Sequence, residues 1–211
     1  MVGKGVLLEC LDSPLISSVV VINRHSIGLK HEKLKEIIHQ DFNDLSPILS
    51  ALDNLDACYF CMGVSAFGIS KEAYRNITYS MTIHMAKTLK TLNSDLCFCY
   101  VSGAGTSTAE NSRQHWSNIK GKTENELMAL FKKCYLFRPG YIQPQRGIKS
   151  ATPLYNAIYT VFGPLFPLIK KGFPNQVTTT KSVGKAMINA CSSGYKKQHL
   201  TNADINYLAM L

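Results

Sequence analysis

The stretch that decides the fold is Tyr100-Val101-Ser102-Gly103-Ala104-Gly105, where an apolar run ends on a serine and a glycine-rich turn. The run begins at Leu96, and its aromatic and β-branched residues predict a buried strand. Further along, Trp116-Ser117-Asn118-Ile119-Lys120 places a tryptophan and a lysine on one helix face. A strand, a polar turn and a helix in this order predict a ligand site at the carboxyl end of a parallel strand.

Strand-like and helix-like segments alternate on both sides of this stretch. The predicted strands are 18–23, 34–39, 57–62, 96–101 and 134–137, and the predicted helices are 2–11, 45–52, 72–92 and 112–131. This alternation is typical of βαβ units. It predicts an α/β fold, with a Rossmann-like, doubly wound parallel sheet between two helical layers.

Beyond Pro144 the alternation loosens into helical pieces separated by prolines. We expect residues 145–211 to form a small helical cap on the substrate side of a single domain, residues 1–211. The apolar segment 154–169 is too short for a relaxed membrane span and contains Pro164 and Pro167. A buried or amphipathic helix is favoured there, and a peripheral membrane contact is the alternative.

Composition is that of an ordinary globular protein. The chain has 211 residues, of which 45% are hydrophobic and 18% charged, and a net charge of +9. Because the lysines are dispersed, a basic surface with a positive cofactor groove is favoured over nucleic-acid binding. The first residues match no signal peptide, which predicts a cytoplasmic location.

The seven cysteines fall mostly in apolar runs and are predicted to be reduced core thiols. Cys58 and Cys61 form a CxxC, but an odd offset on a strand points them to opposite faces. We therefore expect neither a zinc site nor a redox pair there. The six histidines form no ligand cluster, so no metal site is predicted.

The opening Met1-Val2-Gly3-Lys4-Gly5 runs directly into a helix and resembles the second half of a glycine-rich phosphate loop. Met1, Val2 and Gly3 are therefore predicted to bind a dinucleotide. On this interpretation the first strand lies upstream of Met1, through a mis-assigned start rather than a truncated protein. Without that strand, segments 18–23 and 57–62 must pair directly or leave buried backbone groups unsatisfied.

Further cofactor contacts are predicted where other strands end. Arg24 suits the 2′-phosphate of NADP(H), which favours NADP(H) over NAD(H), although a solvated arginine fits equally. Asp41 and Phe42 are expected to frame the adenine, with a capping aspartate as the alternative. The segment Gly63, Val64 and Ser65 is expected to pass beside the cofactor, or to be only a turn.

The segment after residue 137 lies where ligands of doubly wound folds bind. Pro139 and Gly140 are predicted to lie against the nicotinamide, and Tyr141 and Gln143 to face the substrate; a turn without a ligand is the alternative. Lys120 is predicted to bind the nicotinamide ribose, because it lies on the helix that follows the strand-end Ser102. A solvated lysine is the alternative.

Taken together, six segments resemble atypical short-chain dehydrogenases/reductases, in the epimerase/dehydratase-like branch related to the Tat-interacting oxidoreductase. They are Met1-Val2-Gly3, Ile22-Asn23-Arg24, Asp41-Phe42, the 100–105 stretch, Lys120-Gly121-Lys122-Thr123-Glu124 and Arg138-Pro139-Gly140. The resemblance implies a Rossmann fold, NADP(H) and a Ser-Tyr-Lys catalytic set. Ser102 and Lys120 match that set as catalytic residues.

Trp116 stands at the tyrosine position of this set. An indole has no ionisable proton and cannot serve as the general acid, so we assign Trp116 to the substrate side. The sequence predicts an NADP(H)-binding oxidoreductase of unknown small-molecule substrate, with Ser102, water or the substrate supplying the proton. The alternatives are a catalytically silent dinucleotide sensor or scaffold, and a fragment that binds no ligand.

Overall fold

A computed structural model of the protein describes residues 1–150, 163 and 166–211. The strands within these residues are β1 (Val19–Asn23), β2 (Leu34–Ile38), β3 (Ala57–Phe60), β4 (Cys97–Val101), β5 (Cys134–Phe137), β6 (Tyr141–Gln143), β7 (Val177–Thr179) and β8 (His199–Leu200). The helices are α1 (Val2–Asp12), α2 (Lys71–Arg75), α3 (Met81–Leu92), α4 (His115–Leu130), α5 (Phe166–Gly172), α6 (Thr180–Ser193) and α7 (Asn202–Leu208). A 3₁₀ helix spans Ser46–Ala51, and a π-helical turn, Asn76–Ser80, joins α2 to α3.

The central sheet has the strand order β3-β4-β5-β8, and all its pairs are parallel. Tyr100 of β4 lies between Phe60 of β3 and Leu136 of β5. Two further parallel pairs, β1-β2 and β6-β7, form separate sheets. The predicted α/β fold with a parallel, Rossmann-like sheet is confirmed.

Strand β4 supplies apolar side chains to both faces of the central sheet, because successive residues of a strand point to opposite sides. Phe98 and Tyr100 join a first apolar cluster with Leu89 and Phe131, on the side of α3 and α4. Cys97 and Cys99 join a second cluster that includes Val6 of α1 and Met187 of α6. Helices therefore cover both faces, which gives the predicted three layers.

Strand β1 lies in the same layer as the central sheet but is not paired with it. Its Ile22 packs against the first cluster and its Val19 against the second, the clusters that also receive Phe60 and Ala57 of β3. In the part of the chain that the structure describes, β1 pairs only with β2, and β3 only with β4. Of the two outcomes expected from the sequence, unpaired strand edges are therefore found rather than direct pairing.

The predicted strands before residue 140 are confirmed within two residues at each end, and the long helix at 72–92 is present, interrupted by its π-helical turn. Segment 45–52 is a 3₁₀ helix, and α4 begins at His115 instead of residue 112. The expectation that β5 is the last core strand is wrong, since β8 pairs beside it. Strands of two or three residues, such as β6, β7 and β8, are too short to show a period-2 pattern.

The cysteine prediction is wrong at one pair, because Cys97 and Cys191 form a disulfide bond across 94 residues. A pairing over that distance leaves no local pattern in the sequence. The remaining cysteines are free thiols. Cys58 packs against the first cluster and Cys61 against the second, which confirms their opposite orientations.

The predicted cap region is described only in part. Most of the apolar segment 154–169 lies outside the described residues, and its final residues belong to α5. Among the described helices, none has both the length and the apolar character that crossing a membrane requires.

Candidate functional site

The predicted site residues follow strands that end at one edge of the fold. Arg24 follows β1, Gly63 comes shortly after β3, Ser102 follows β4, and Pro139 comes shortly after β5. Because the carboxyl ends of parallel strands share an edge, the backbone brings these residues to the side where α/β folds bind ligands.

Lys120 lies over the turn that follows β4. Its ammonium donates a hydrogen bond to the carbonyl oxygen of Ser102. Gly103 has a φ of +122°, and a Cβ at this position would lie 3.8 Å from the Lys120 Nζ. Burial lowers the pKa of Lys120, and the nearby Glu124 carboxylate opposes that shift. The structure thus holds a half-buried cation directly beside the Ser102 turn.

Trp116 packs against the same turn from the neighbouring position on α4. Its Cη2 atom lies 3.2 Å from where a Cβ on Gly105 would stand, and Gly105 has a φ of +85°. The Ser117 hydroxyl donates to the Gly105 carbonyl at 2.6 Å. A Cβ on Gly121 would come within 1.7 Å of the Ser107 carbonyl, so only glycine lets α4 approach the turn this closely. The indole of Trp116 therefore lies beside this turn, but its N–H is not acidic enough to protonate a substrate.

A buried polar cluster lies beneath Ser102 and Lys120. Glu124 is fully buried and accepts a hydrogen bond from the Ser102 hydroxyl at 2.5 Å. Arg138 donates to both carboxylate oxygens of Glu124, with its Nε at 3.0 Å. His199 of β8 places its Nε2 3.5 Å from the same carboxylate. The Ser102 hydroxyl thus points into the protein, and Ser102 is only 2% exposed.

Sequence reasoning gave no role to Glu124, Arg138 or His199. One feature of the sequence pointed to Glu124. It lies four residues after Lys120, on the helix face that Trp116 and Lys120 share. Arg138 reaches Glu124 through the packing of α4 beside β5, and His199 reaches it through the pairing of β5 with β8. No spacing in the sequence relates these two residues to each other.

Helix α1 begins beside the carboxyl end of β3. A Cβ on Gly3 would lie 3.3 Å from the Cys61 Cβ. The first N–H groups of a helix have no intrahelical acceptor, and together with the helix dipole they favour an anion. Met1, Val2 and Gly3 therefore lie at a helix N-terminus beside the carboxyl end of β3.

The end of the β1-β2 pair holds the predicted adenosine-side residues. Arg24 is exposed, and among the described residues it forms no ion pair. Its carbonyl accepts a hydrogen bond from the Gln40 side chain, which ties the ends of β1 and β2 together. Asp41 accepts from the backbone N–H of Asn43 at 2.9 Å, which forms an Asx turn in the loop; the 3₁₀ helix that follows has Leu45 at its N-cap, so Asp41 does not cap it. Phe42 packs against the first apolar cluster.

The remaining residues that are predicted to contact the cofactor lie in two loops. Val64 and Ser65 are exposed, and the Ser65 hydroxyl accepts from the Phe67 N–H at 3.1 Å. The Pro139 carbonyl accepts from the Ala104 N–H at 2.9 Å, which joins the loops after β4 and β5.

Gly140 donates its N–H to Asn202, and a Cβ there would lie 3.1 Å from the Gln176 carbonyl. Close packing of the loop before β7 thus accounts for this glycine. Tyr141 donates its hydroxyl proton to Gln143 at 2.6 Å, so the two predicted substrate residues lie side by side on β6.

The donors at this edge match the chemistry of a nicotinamide dinucleotide. The start of α1 and Arg24 supply N–H groups and positive charge for phosphates, and Lys120 supplies a donor beside the Ser102 turn. The nearby carboxylate of Glu124 is paired with Arg138. The residues therefore fit an anionic cofactor.

Comparisons with known proteins identify the fold. No protein-family model matches the chain, and no curated protein matches it at the level of sequence. The solved structures that resemble it include gox2253, with a TM-score of 0.66, 13% identity and coverage of 95% of this chain and 66% of that one. The enzyme WbmF of Bordetella bronchiseptica, solved in complex with NAD⁺, has a TM-score of 0.65 and 15% identity, with coverage of 98% and 73%.

UDP-glucose 4-epimerase of Thermotoga maritima, solved with UDP-glucose, has a TM-score of 0.66 and 13% identity, with coverage of 91% of this chain and 70% of the epimerase. The chain thus spans about two thirds to three quarters of the length of these proteins. At such identities the likeness concerns the backbone. The chain has the Rossmann-like fold of epimerases and other NAD-binding enzymes.

Proposed function

We propose that this chain is an NADP(H)-binding oxidoreductase of the short-chain dehydrogenase/reductase type. The observation that carries the proposal is the half-buried Lys120 ammonium, held on the Ser102 carbonyl at the ligand edge of the sheet. A buried lysine loses solvation, so a site that retains one beside an open strand end is suited to a polar ligand. The fold shared with NAD-binding enzymes supports the same conclusion.

Different residues of the chain bind different parts of the cofactor. The start of α1 binds the phosphates, Arg24 binds the 2′-phosphate, and Asp41 and Phe42 border the adenine. Lys120 donates to the nicotinamide ribose, while Gly63 to Ser65 and the Pro139-Gly140 loop border the cofactor. When bound, a nicotinamide exchanges a hydride with a substrate carbon. Tyr141 and Gln143 of β6 border the substrate.

Proton supply distinguishes this site from one with a catalytic tyrosine. The indole N–H of Trp116 is not acidic enough to protonate a substrate, and the Ser102 hydroxyl already donates to Glu124. Ser102 therefore positions Lys120 through its carbonyl, and solvent or the substrate itself supplies the proton. Flavin-like or quinone-like acceptors suit such a site, because they need less help from a protein acid.

Calorimetric titration of the protein with NADPH and with NADH tests this function. We expect NADPH to bind more tightly, Lys120→Met to weaken the binding of both about tenfold, and Arg24→Ala to weaken NADPH alone. Lys132→Ala is the matched control, because Lys132 is exposed and precedes β5 at the opposite edge. Absence of binding by either cofactor would refute the proposal.

A catalytically silent sensor is the second candidate, and the packing of Trp116 on Gly105 favours it. Oxidation of NADPH with a panel of quinones separates the two. Turnover by the wild type that is lost in Lys120→Ala at saturating NADPH excludes the sensor. A ligand-free fragment would show no rise in its unfolding temperature on adding NADPH.

A further inference from the structure

Three sulfur atoms meet in the second apolar cluster, outside the cofactor site. The Sγ atoms of Cys97, Cys99 and Cys191 all lie within 4.8 Å of one another. Cys97 and Cys191 form the disulfide, with their Cα atoms 5.8 Å apart, inside the usual range for a disulfide. The free Cys99 thiol lies 3.5 Å from the Sγ of Cys191. The proposed function uses none of these groups.

The fold explains why the three sulfurs converge. Cys97 and Cys99 are two residues apart on β4, so their side chains point to the same face of the sheet. Cys191 belongs to the end of α6, which packs over that face. Cys191 of α6 therefore lies beside both cysteines of β4.

We infer that Cys97, Cys99 and Cys191 form a thiol–disulfide exchange site in which Cys191 bonds to either strand cysteine. In the exchange, Cys99 loses its proton and its thiolate attacks the Cys191 Sγ. The Cys99–Cys191 bond forms as the Cys97–Cys191 bond breaks, and the electron pair leaves with the Cys97 Sγ, which takes up a proton. One disulfide replaces another, so no oxidant or reductant is consumed.

Charge favours exchange over a soft metal at this place. Three thiolates around a monovalent ion such as Cu(I) would leave a net charge of −2. The described side chains of the second cluster are apolar, and a net charge of this size among them is costly. Exchange leaves the site neutral before and after the step.

Exposure indicates how the exchange is started. Cys97 and Cys99 are buried, whereas Cys191 is only half-buried, so a small thiol from solution reaches Cys191 first. Its attack forms a mixed disulfide at Cys191 and releases the Cys97 thiol. Cys99 then attacks Cys191 and releases the small thiol. Burial raises the pKa of the Cys99 thiol, so the attack by Cys99 is slow at neutral pH on either route.

Disulfide mapping of the wild-type protein tests this inference. The protein is incubated at pH 8 with a trace of reduced glutathione, quenched with acid, digested without reduction and analysed by mass spectrometry. We expect peptides joined by Cys99–Cys191 as well as by Cys97–Cys191. Cys97→Ala is incubated with oxidised glutathione, which takes up the two electrons as the Cys99 and Cys191 thiols join and is released as two molecules of reduced glutathione. We expect one disulfide and four free thiols after denaturation, instead of six free thiols.

Two variants serve as controls. Cys134→Ala removes a free thiol from the first cluster and should keep both pairings. Cys191→Ala should contain no disulfide. Detection of the Cys99–Cys191 bond in either the wild type or Cys97→Ala supports the exchange site. Wild-type protein with Cys97–Cys191 alone, together with six thiols in Cys97→Ala, would overturn it.

Discussion

At the scale of single residues, Glu124 supports the site from below. It accepts hydrogen bonds from the Ser102 hydroxyl and from Arg138, while the Ser102 carbonyl accepts from Lys120. A buried carboxylate is tolerated only when its charge is paired. Glu124 therefore connects the stability of β5 with the position of the half-buried lysine.

Glu124→Gln should lower the free energy of unfolding by about 3 kcal/mol, because it leaves the Arg138 charge without its buried partner. Urea denaturation at pH 7 measures this loss. Glu126→Gln is the control, since Glu126 pairs with the exposed Lys87 and should cost about 1 kcal/mol or less. Equal losses of unfolding free energy in the two variants would show that burial does not strengthen the Glu124–Arg138 pair.

At the scale of elements, the described C-terminal part relies on a capped helix. The Thr201 side chain accepts from the Asp204 N–H and the Thr201 N–H donates to the Asp204 carboxylate, which closes a capping box at the start of α7. The Thr201 hydroxyl also donates to that carboxylate. Burial alone would raise the pKa of Asp204, but hydrogen bonds from Lys197, Thr201 and Tyr195 outweigh it and lower the pKa to about 2.

Asp204→Asn should destabilise the protein by about 1 kcal/mol at pH 7, through loss of the ionised cap. Because the folded pKa is below the ordinary value of 3.8, the stabilisation is complete above that value and is lost as the pH falls through 2. The difference in unfolding free energy between wild type and variant should therefore narrow below pH 4. A difference that stays constant down to pH 2 would contradict this, and the exposed Asp95→Asn is the control.

At the scale of the whole molecule, the unusual feature is that β1 and β3 each have an edge with which no described strand pairs. Val19 donates its N–H to the Lys33 carbonyl, on the side of β2. Because successive N–H groups of a strand point to alternate edges, those of Val20 and Ile22 point to the opposite edge. Cys97 donates to the Asp56 carbonyl, which by the same rule turns Ala57 and Tyr59 away from β4. These groups face the gap between the two sheets.

Amide hydrogen exchange should reveal this gap. The N–H groups of Val20, Ile22, Ala57 and Tyr59 should exchange about 100-fold faster than those of Val21 and Cys58, which face a partner strand. Comparison within one strand removes differences in global stability. Equal protection on both edges would show that another chain segment covers them.

The sequence by itself determined the alternation of elements and the local positions of Arg24, Ser102 and Lys120, the first two at strand ends and Lys120 on the helix that follows Ser102. Both follow from local periodicity and turn chemistry, which residues near in sequence dictate. The tertiary structure alone decided that β1 stands apart from β3, that Arg138 and His199 converge on Glu124, and that Cys191 meets Cys97 and Cys99. These contacts join segments distant in sequence, and strand pairing and helix packing across the sheet create them. The residues at the strand ends could therefore be predicted from the sequence. The buried polar cluster beneath them and the three-cysteine cluster arise only from folding.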